Sequence, residues 1–174
     1  MYIKKCIEAD IDDLVRVSIQ SYSEHYLYLW HDDGKKYVAG NFNSEVFRQQ
    51  ITDNNVALFL IHENKESPPI GFLKLNIDKA YDDKNEKESM ELERIYLIKQ
   101  VSGKGIGSQV LEFAEQFARE KNKKKIWLKV MDSSITAIEF YSRNGYKIAG
   151  EFRLTFPEMK KEFRGMHVMM KPLD

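Results

Sequence analysis

The chain has 174 residues, 43% of them hydrophobic and 31% charged, a composition typical of one folded globular domain. Lys and Arg together number 27, as do Asp and Glu, so the net charge is zero and the basic bias of nucleic-acid-binding proteins is absent. The single cysteine, Cys6, excludes an internal disulfide and a multi-cysteine metal site, and it favours a reducing cytoplasm. No long apolar stretch near the N-terminus predicts a signal peptide or a membrane anchor.

The first third of the chain is predicted to form a strand and two helices, with short helical pieces or an aromatic-rich loop between the helices. The strand, the two helices and the aromatic segment lie at residues 2–7, 11–22, 45–51 and 22–42. Asp10 is the candidate N-cap of the first helix, and Asn43 or Ser44 that of the second, because these side chains can accept a backbone hydrogen bond.

The remainder of the chain alternates strands with helices. Six strands are predicted at residues 56–63, 70–77, 90–97, 126–130, 146–156 and 165–172, and two helices at residues 107–121 and 135–143. Pro68 and Pro69 indicate a turn after the first of these strands, because proline cannot continue a ladder. Ser133 or Ser134 is the candidate cap of the last helix, and Gly145 can end that helix in the left-handed conformation.

The order of these elements predicts the sheet. A strand, a glycine turn, a helix and a second strand follow one another over residues 90–130, which implies a parallel pair of strands. Hairpins on either side of this unit imply antiparallel neighbours. The predicted fold class is therefore α/β, a single domain over residues 1–174 with a mixed sheet of about seven strands flanked by helices.

Residues 102–108, SGKGIGS, place three glycines at alternate positions directly before a predicted helix. Their spacing matches neither the GxxxxGK[ST] loop that binds triphosphates nor the GxGxxG fingerprint of dinucleotide sites, whose third glycine would be Ser108 or Val110. A glycine turn that opens a helix directs several backbone N–H groups to one point, which is an anion site. A tight turn that binds no ligand is the alternative.

Two segments resemble the Gcn5-related N-acetyltransferase (GNAT) family. LERIYLIKQVSGKGIGSQVLEF is similar to the family's fourth strand and its Q/R-x-x-G-x-G/A turn, and ITAIEFYSRNGYKIAG to its A-I-x-F/L-Y-x-x-x-G-F/Y segment. Within the family, the segments LERIYL, NKKKIWLKV and YVAGNFNSEVFRQQI are most like PaiA-type polyamine acetyltransferases. The resemblance implies a GNAT-like fold and an acetyl-CoA-dependent N-acetyltransferase that releases CoA.

The resemblance also implies which residues contact acetyl-CoA. The motif fits as Gln100-x-x-Gly103-x-Gly105 or as Ser102-x-x-Gly105-x-Gly107, and we prefer the second because Ile106 must then point into the core. The second alignment has a serine where the family usually has Gln or Arg. Ser134 stands where family members often have Asn, and Arg143 either meets the CoA 3′-phosphate or is solvated. The predicted cofactor-binding residues are Ile95, Tyr96, Leu97, Ser102, Gly103, Lys104, Gly105, Ile106, Gly107, Ser108, Ser134, Ala137, Tyr141 and Arg143.

Three residues are candidates for the chemistry. Tyr141, by resemblance, is the general acid that protonates the leaving thiolate. Glu91 and Glu93 lie on one face of their strand by alternation, and either could take a proton from the amine through a water molecule, Glu93 being nearer to the acetyl group. Surface ion pairs are the alternative for both. The four histidines are scattered, so no metal site is predicted.

The acceptor site is predicted between the first two strands. Its candidate aromatic and imidazole side chains are Tyr26, Trp30, His31 and Tyr37. Its candidate carboxylates are Glu24, Asp32, Asp33, Asp78, Asp82, Asp83, Glu86 and Glu88. Aromatic rings and carboxylates together suit a cationic amine such as spermidine or spermine, although a solvated loop could have the same composition.

Several alternatives stay open at this stage. The acceptor is a polyamine, a protein N-terminus, a lysine or an aminoglycoside, and a non-catalytic CoA-binding sensor is the alternative to an enzyme. The expected partner is a small-molecule amine, with neither nucleic acid nor a membrane. A homodimer is expected from the resemblance, with the final strand, residues 165–172, facing either the partner or the core.

Overall fold

A computed structural model describes residues 1–81 and 86–173 of the chain. Its described residues form a seven-stranded mixed sheet with five α-helices, which confirms the predicted α/β class. The strands are β1 (Tyr2–Lys5), β2 (Val56–His62), β3 (Pro69–Asn76), β4 (Ser89–Leu97), β5 (Lys125–Met131), β6 (Lys147–Arg153) and β7 (Gly165–Pro172). The helices are α1 (Ile11–Tyr26), α2 (Lys35–Asn41), α3 (Ser44–Thr52), α4 (Ile106–Glu120) and α5 (Ile135–Arg143).

Several element boundaries differ from the sequence prediction, and β1 and β6 end earlier than predicted, at Lys5 and Arg153. Helix α1 extends to Tyr26, because the aromatic residues at its C-terminal end continue its buried face. Pro69, which was predicted to lie in the turn, is the first residue of β3 and lies opposite His62. A proline is tolerated there because the first residue of a strand need not donate a ladder hydrogen bond.

Of the predicted N-terminal helix caps, only that of α3 is correct. The Asn43 side chain accepts a hydrogen bond from the Val46 backbone N–H at 2.9 Å. Asp10 precedes α1 but does not cap it, because its carboxylate instead accepts hydrogen bonds from the Ile7 backbone N–H and the Lys4 ammonium. At the start of α5, Ser134 occupies the N-cap position and its hydroxyl caps no backbone N–H in the described chain.

We expect Asn43→Ala to destabilise the protein by about 1 kcal/mol, because it leaves a first-turn N–H of α3 without its side-chain acceptor. Urea unfolding followed by circular dichroism measures this change. Ser44→Ala is the matched control, since Asn43 rather than Ser44 makes the cap. Equal free energies of unfolding for the two variants would contradict the assigned cap.

The strand order is β1-β2-β3-β4-β5-β7-β6, and β4 and β5 form the predicted parallel pair. Their pairing covers only Ser89–Glu91 against Lys125–Trp127. Beyond Glu91 the two strands separate, and β4 has no partner on this side within residues 1–81 and 86–173. The sheet is therefore split along the C-terminal half of β4.

The final strand, β7, lies between β5 and β6 rather than at an edge of the sheet. Val168 and Met169 on this strand are fully buried. Of the two positions considered for this segment, the structure therefore places it inside the sheet, facing the core, because both of its neighbours hydrogen-bond to it.

Helix α4 packs on the sheet through the face that its 3.6-residue period predicts. Ile106, Val110, Leu111, Ala114 and Ala118 are buried on this face. Phe117 belongs to the same face but is only partly buried, and its ring contacts the Phe59 ring of β2. This packing holds the start of α4, and with it the glycine turn, against the sheet.

Candidate active site

A cavity of about 550 Å³ lies where β4 and β5 separate. Its walls come from β4, β5, the start of α5, the aromatic residues of α1 and α2, and the segment between β6 and β7. A cavity of this size suits a small ligand or the reactive end of a larger one. The split in the sheet is thus the origin of the site, because a continuous ladder would fill this space with paired strands.

The glycine turn adopts a conformation that explains two of its three glycines. Gly103 and Gly105 have φ angles of +77° and +75°, in the left-handed region that favours glycine. A Cβ atom at either position would meet no described atom within 4 Å, so the space above the turn is open. Gly107, in the first turn of α4, instead packs against the Phe140 ring. Ile106 begins the helix and is buried, as the preferred alignment of the motif requires.

The backbone of this turn presents unpaired donors. The N–H groups of Ser102 and Lys104 donate within the turn, to the carbonyls of residues 99 and 101. The N–H groups of Gly103, Gly105 and Ser108 have no acceptor among the described residues. They lie at the N-terminus of a 15-residue helix, where the helix dipole favours negative charge. The turn therefore fits a pyrophosphate.

The unpaired edge of β4 fits an extended amide chain. The Ile98 N–H donates to the Ile70 carbonyl of β3 at 2.9 Å, so alternation turns the peptide groups of Ile95 and Leu97 away from β3 and toward the gap. Ile95 lines the cavity, whereas Leu97 does not. The Leu97 carbonyl lies 3.2 Å from Nε2 of His25 of α1.

The predicted residues of α5 divide into two groups. Ser134, Ala137 and Tyr141 line the cavity, as does Tyr96 of β4. Burial raises the pKa of Tyr141, so its phenol is protonated at neutral pH. Arg143 is exposed outside the cavity and forms no ion pair with a described residue.

Glu91 and Glu93 both line the cavity, and one amide joins them. Nδ2 of Asn76 donates to Oε2 of Glu91 at 2.7 Å and to Oε2 of Glu93 at 2.8 Å. Glu93 lies at a β-bulge, because it is one extra residue of β4 between Leu92, which pairs with Leu75, and Arg94, which pairs with Lys74. The predicted common face of the two carboxylates is confirmed.

Two cations hold Glu93. Nζ of Lys74 lies 2.7 Å from Oε2 of Glu93, and an Arg94 guanidinium nitrogen lies 3.4 Å from its Oε1. Burial opposes ionisation of Glu93, but the charges of Arg94 and Lys74 and the hydrogen bonds from Lys74 and Asn76 outweigh it and lower its pKa. Since Lys74 and Arg94 are both buried, this is an interior charge network rather than a surface ion pair.

Three of the four predicted acceptor residues line the cavity. Tyr26, Trp30 and Tyr37 lie in its wall, where the rings of Trp30 and Tyr37 stack with centroids 4.8 Å apart. His31 is exposed and is not part of the wall. Trp30 forms a bridge with Met159, and this pairing turns the next residue, His31, outward.

The loop carboxylates that were predicted at the acceptor site and whose side chains are described do not line the cavity. Asp32 accepts backbone hydrogen bonds at the start of α2, and Glu24 accepts one from the segment after β4. Asp78 and Glu88 form ion pairs with lysines that precede β5, and Asp33 is exposed at a turn residue with a φ of +55°. The side chains of Asp82, Asp83 and Glu86 lie outside the described residues. The acidity of the described cavity comes from β4 instead.

Sequence reasoning missed Asn76, Lys74 and Arg94. Regular pairing of β3 with β4 brings Asn76 to Glu91, and the bulge in β4 places Arg94 opposite Lys74, on the same face of the sheet. Nothing in the spacing of the sequence indicates this bulge. The one available signal is that Asn76 is a polar residue at the end of a strand whose antiparallel partner contains Glu91.

Three further observations concern metal ligands, membrane-spanning helices and the cysteine of the described chain. Within residues 1–81 and 86–173, no group of three or more His, Cys, Asp and Glu side chains is arranged to hold a metal ion. No helix in the same part of the chain is long and apolar enough to cross a membrane. Burial raises the pKa of the Cys6 thiol to about 12, so this cysteine is not a ready nucleophile.

Several known proteins are similar to this chain in sequence or in fold. The acetyltransferase (GNAT) family model matches residues 15–146. The spermine/spermidine N(1)-acetyltransferase of Bacillus subtilis is 30% identical over 109 residues, 62% of this chain and 66% of that protein. The spermidine N(1)-acetyltransferase of Thermoplasma acidophilum is 28% identical over 156 residues, 84% of this chain and 88% of that protein. The crystal structure of the PaiA N-acetyltransferase from T. acidophilum in complex with coenzyme A matches with a TM-score of 0.76, at 22% identity over 98% of both chains.

The split sheet, the glycine turn and the cavity together define an acyltransferase. The family match covers well over half of the chain, and the chain therefore belongs to the GNAT acetyltransferase family. It is an acetyl-CoA-dependent N-acetyltransferase, as its two sequence motifs predicted, and CoA is a product of its reaction.

Proposed function

We propose that the enzyme acetylates a small primary amine by direct attack of the amine on the thioester, without a covalent enzyme intermediate. One observation carries this proposal: the unpaired edge of β4, the Tyr141 phenol and the carboxylates of Glu91 and Glu93 all border one cavity. The buried Cys6 thiol lies outside that cavity, which supports a direct rather than a covalent transfer.

Acetyl-CoA supplies the activated acetyl thioester when it is bound. The free N–H groups of residues 102–108 would hold its pyrophosphate, and the half-exposed Lys104 would add a positive charge there. The peptide groups of Ile95 and Leu97 would hydrogen-bond the pantetheine amides, and Ser134 would add one hydroxyl. Arg143, exposed and without an ion-pair partner in the described chain, would meet the 3′-phosphate.

Protons must move at two atoms during the transfer. An ammonium group has no free lone pair, so a carboxylate of β4 would take its proton through a water molecule before the attack. Tyr141 would donate its phenolic proton to the departing sulfur. Its raised pKa keeps that proton in place at neutral pH.

Polyamines are the acceptors that the curated relatives favour. Two of these relatives are named as spermidine or spermine acetyltransferases, and the aromatic wall of Tyr26, Trp30 and Tyr37 suits an alkyl ammonium. We infer spermidine or spermine as the acceptor on this basis. A protein N-terminus, a lysine and an aminoglycoside are the competing acceptors, and a sensor that binds CoA without turnover is the competing function.

The test is thiol release from acetyl-CoA with a panel of amines. We expect turnover with spermidine or spermine and none without an amine. Turnover on a peptide N-terminus or an aminoglycoside, but on no polyamine, would contradict the polyamine acceptor. Tight binding of acetyl-CoA with no turnover on any amine would leave the sensor.

We also propose a cytoplasmic location and a homodimer. The single free, buried cysteine supports a reducing compartment. The strand at one edge of the sheet, β6, carries exposed Ile148 and Phe152 that a second copy could cover. Light scattering after size-exclusion chromatography measures the mass in solution, and a monomer at all concentrations would contradict the dimer.

A further inference from the structure

The two cavity carboxylates have unequal surroundings, although they share the Asn76 amide. Asn76 lies directly opposite Glu91 in the ladder, and its amide has two N–H donors, one for each carboxylate. Glu93 is bound in addition by Lys74 and Arg94. Among the described side chains, Glu91 accepts a hydrogen bond from Asn76 alone, and Nζ of Lys129 lies 4.0 Å from its Oε1.

These contacts give the two carboxylates different capacities to accept a proton. Both oxygens of Glu93 are engaged by cations, which lower its pKa and make it a poor acceptor of a proton. One oxygen of Glu91 is free of hydrogen bonds within the described residues. Glu91 also lies in the cavity wall, where a water molecule could reach it.

We propose that Asn76 is a positioning residue that holds Glu91 as the proton acceptor and ties it to Glu93, which Lys74 and Arg94 keep as a fixed anion. This assignment rests on the proposed amine acetylation. In the step concerned, an N–H bond of the substrate ammonium breaks and its electron pair stays on nitrogen. The proton passes through water to Glu91, which later releases it to solvent.

The charged groups that face Glu91 come from three strands and one loop. They are Lys74 of β3, Lys79 after β3, Glu93 and Arg94 of β4, and Lys129 of β5. The Asn76 amide is the neutral group that bonds Glu91 directly. Its removal takes away a donor that favours the ionised carboxylate and breaks the link between two adjacent carboxylates, so we expect the acid limb of the pH profile to move in its absence.

The test compares Glu91→Gln, Glu93→Gln and Asn76→Leu in the intact enzyme, with spermidine or the amine that the panel identifies. We expect Glu91→Gln to lower kcat/KM by about a hundredfold, because general base catalysis contributes about 10²–10⁴-fold. It should also abolish the acid limb of the pH profile, which is the fall in kcat/KM at low pH. Glu93→Gln should keep that limb and lose less activity than Glu91→Gln, although it lowers stability because the buried Lys74 and Arg94 are left with one anion fewer. Asn76→Leu should lower kcat and move the limb.

Asn55→Leu is the matched control for the asparagine. Asn55 also bridges two groups, the backbone N–H and carbonyl of Asp78, but it lies outside the cavity. We expect the acid limb of Asn55→Leu to stay at the wild-type pH. Thermal unfolding and the affinity for acetyl-CoA check that each variant is folded. Should Asn76→Leu fail to fold, Asn76→Ser removes the same two donors with a smaller side chain.

Two results would overturn the assignment. The first is an acid limb that survives in Glu91→Gln but disappears in Glu93→Gln. The second is an Asn76 variant that loses activity while its acid limb stays at the wild-type pH, since a merely structural role gives that result. Failure of the proposed function is distinct from both, because the wild-type enzyme would then acetylate no amine.

Discussion

Replacement of Tyr141 by phenylalanine should lower kcat by about 10²–10³-fold while the KM for acetyl-CoA changes little. The ring remains, with its packing against Phe140 and Tyr146, so the loss isolates the phenolic proton. Since burial raises the pKa of Tyr141, the wild-type phenol is protonated from about pH 6 to 9. The ratio of wild-type to variant kcat should therefore be constant over that range.

Tyr146→Phe is the matched control for this substitution. Tyr146 is buried beside Tyr141 and does not line the cavity. We expect its kcat to equal that of the wild type. Steady-state kinetics of both variants decide the matter, and an unchanged kcat in Tyr141→Phe would exclude Tyr141 as the general acid.

Replacement of Gly105 by valine should weaken acetyl-CoA binding about a hundredfold. The left-handed φ of +75° is strained for a β-branched residue, and the new side chain would fill the open space above the turn. The N–H groups of the turn would then be kept from the pyrophosphate, and each charge-assisted hydrogen bond lost costs about 1.5–3 kcal/mol. Calorimetric titration with acetyl-CoA measures the affinity.

Asn122→Val separates the backbone strain from the loss of the site. Asn122 follows the other end of α4 and also has a positive φ, +57°, so valine is strained there as well. This variant should lose stability but keep its affinity for acetyl-CoA. If Gly105→Val binds acetyl-CoA as tightly as Asn122→Val does, the glycine turn is not the cofactor loop.

The elements of the fold were predictable because they follow from local chemistry. The face of α4 and the left-handed end of α5 at Gly145 depend on residues close together in sequence, and the parallel β4–β5 pair follows from the strand–helix–strand order. The caps were less predictable, because Asp10 had nearby donors other than the helix. When a side chain has several possible partners nearby, its position in the sequence does not indicate which of them it bonds.

Motifs, alternation along β4 and composition each predicted residues that line the cavity. Tyr141 and the glycine turn lie where the two GNAT segments placed them, at the edge of the cavity and at the start of α4. The acceptor site was predicted less well, because His31 faces away from the cavity. Composition marks which loops are aromatic or acidic, but it does not say which side chains turn inward.

The sequence by itself determined the family, the cofactor and the order of strands and helices, because periodicity and motif spacing are properties of the linear chain. Only the tertiary structure decided how the carboxylates are partnered. The bulge at Glu93 shifts the register between β3 and β4, so that Arg94 lies opposite Lys74 and both cations contact Glu93, while Asn76 lies opposite Glu91 and donates to both carboxylates. This register depends on how two strands pair, and alternation along one strand carries no record of it.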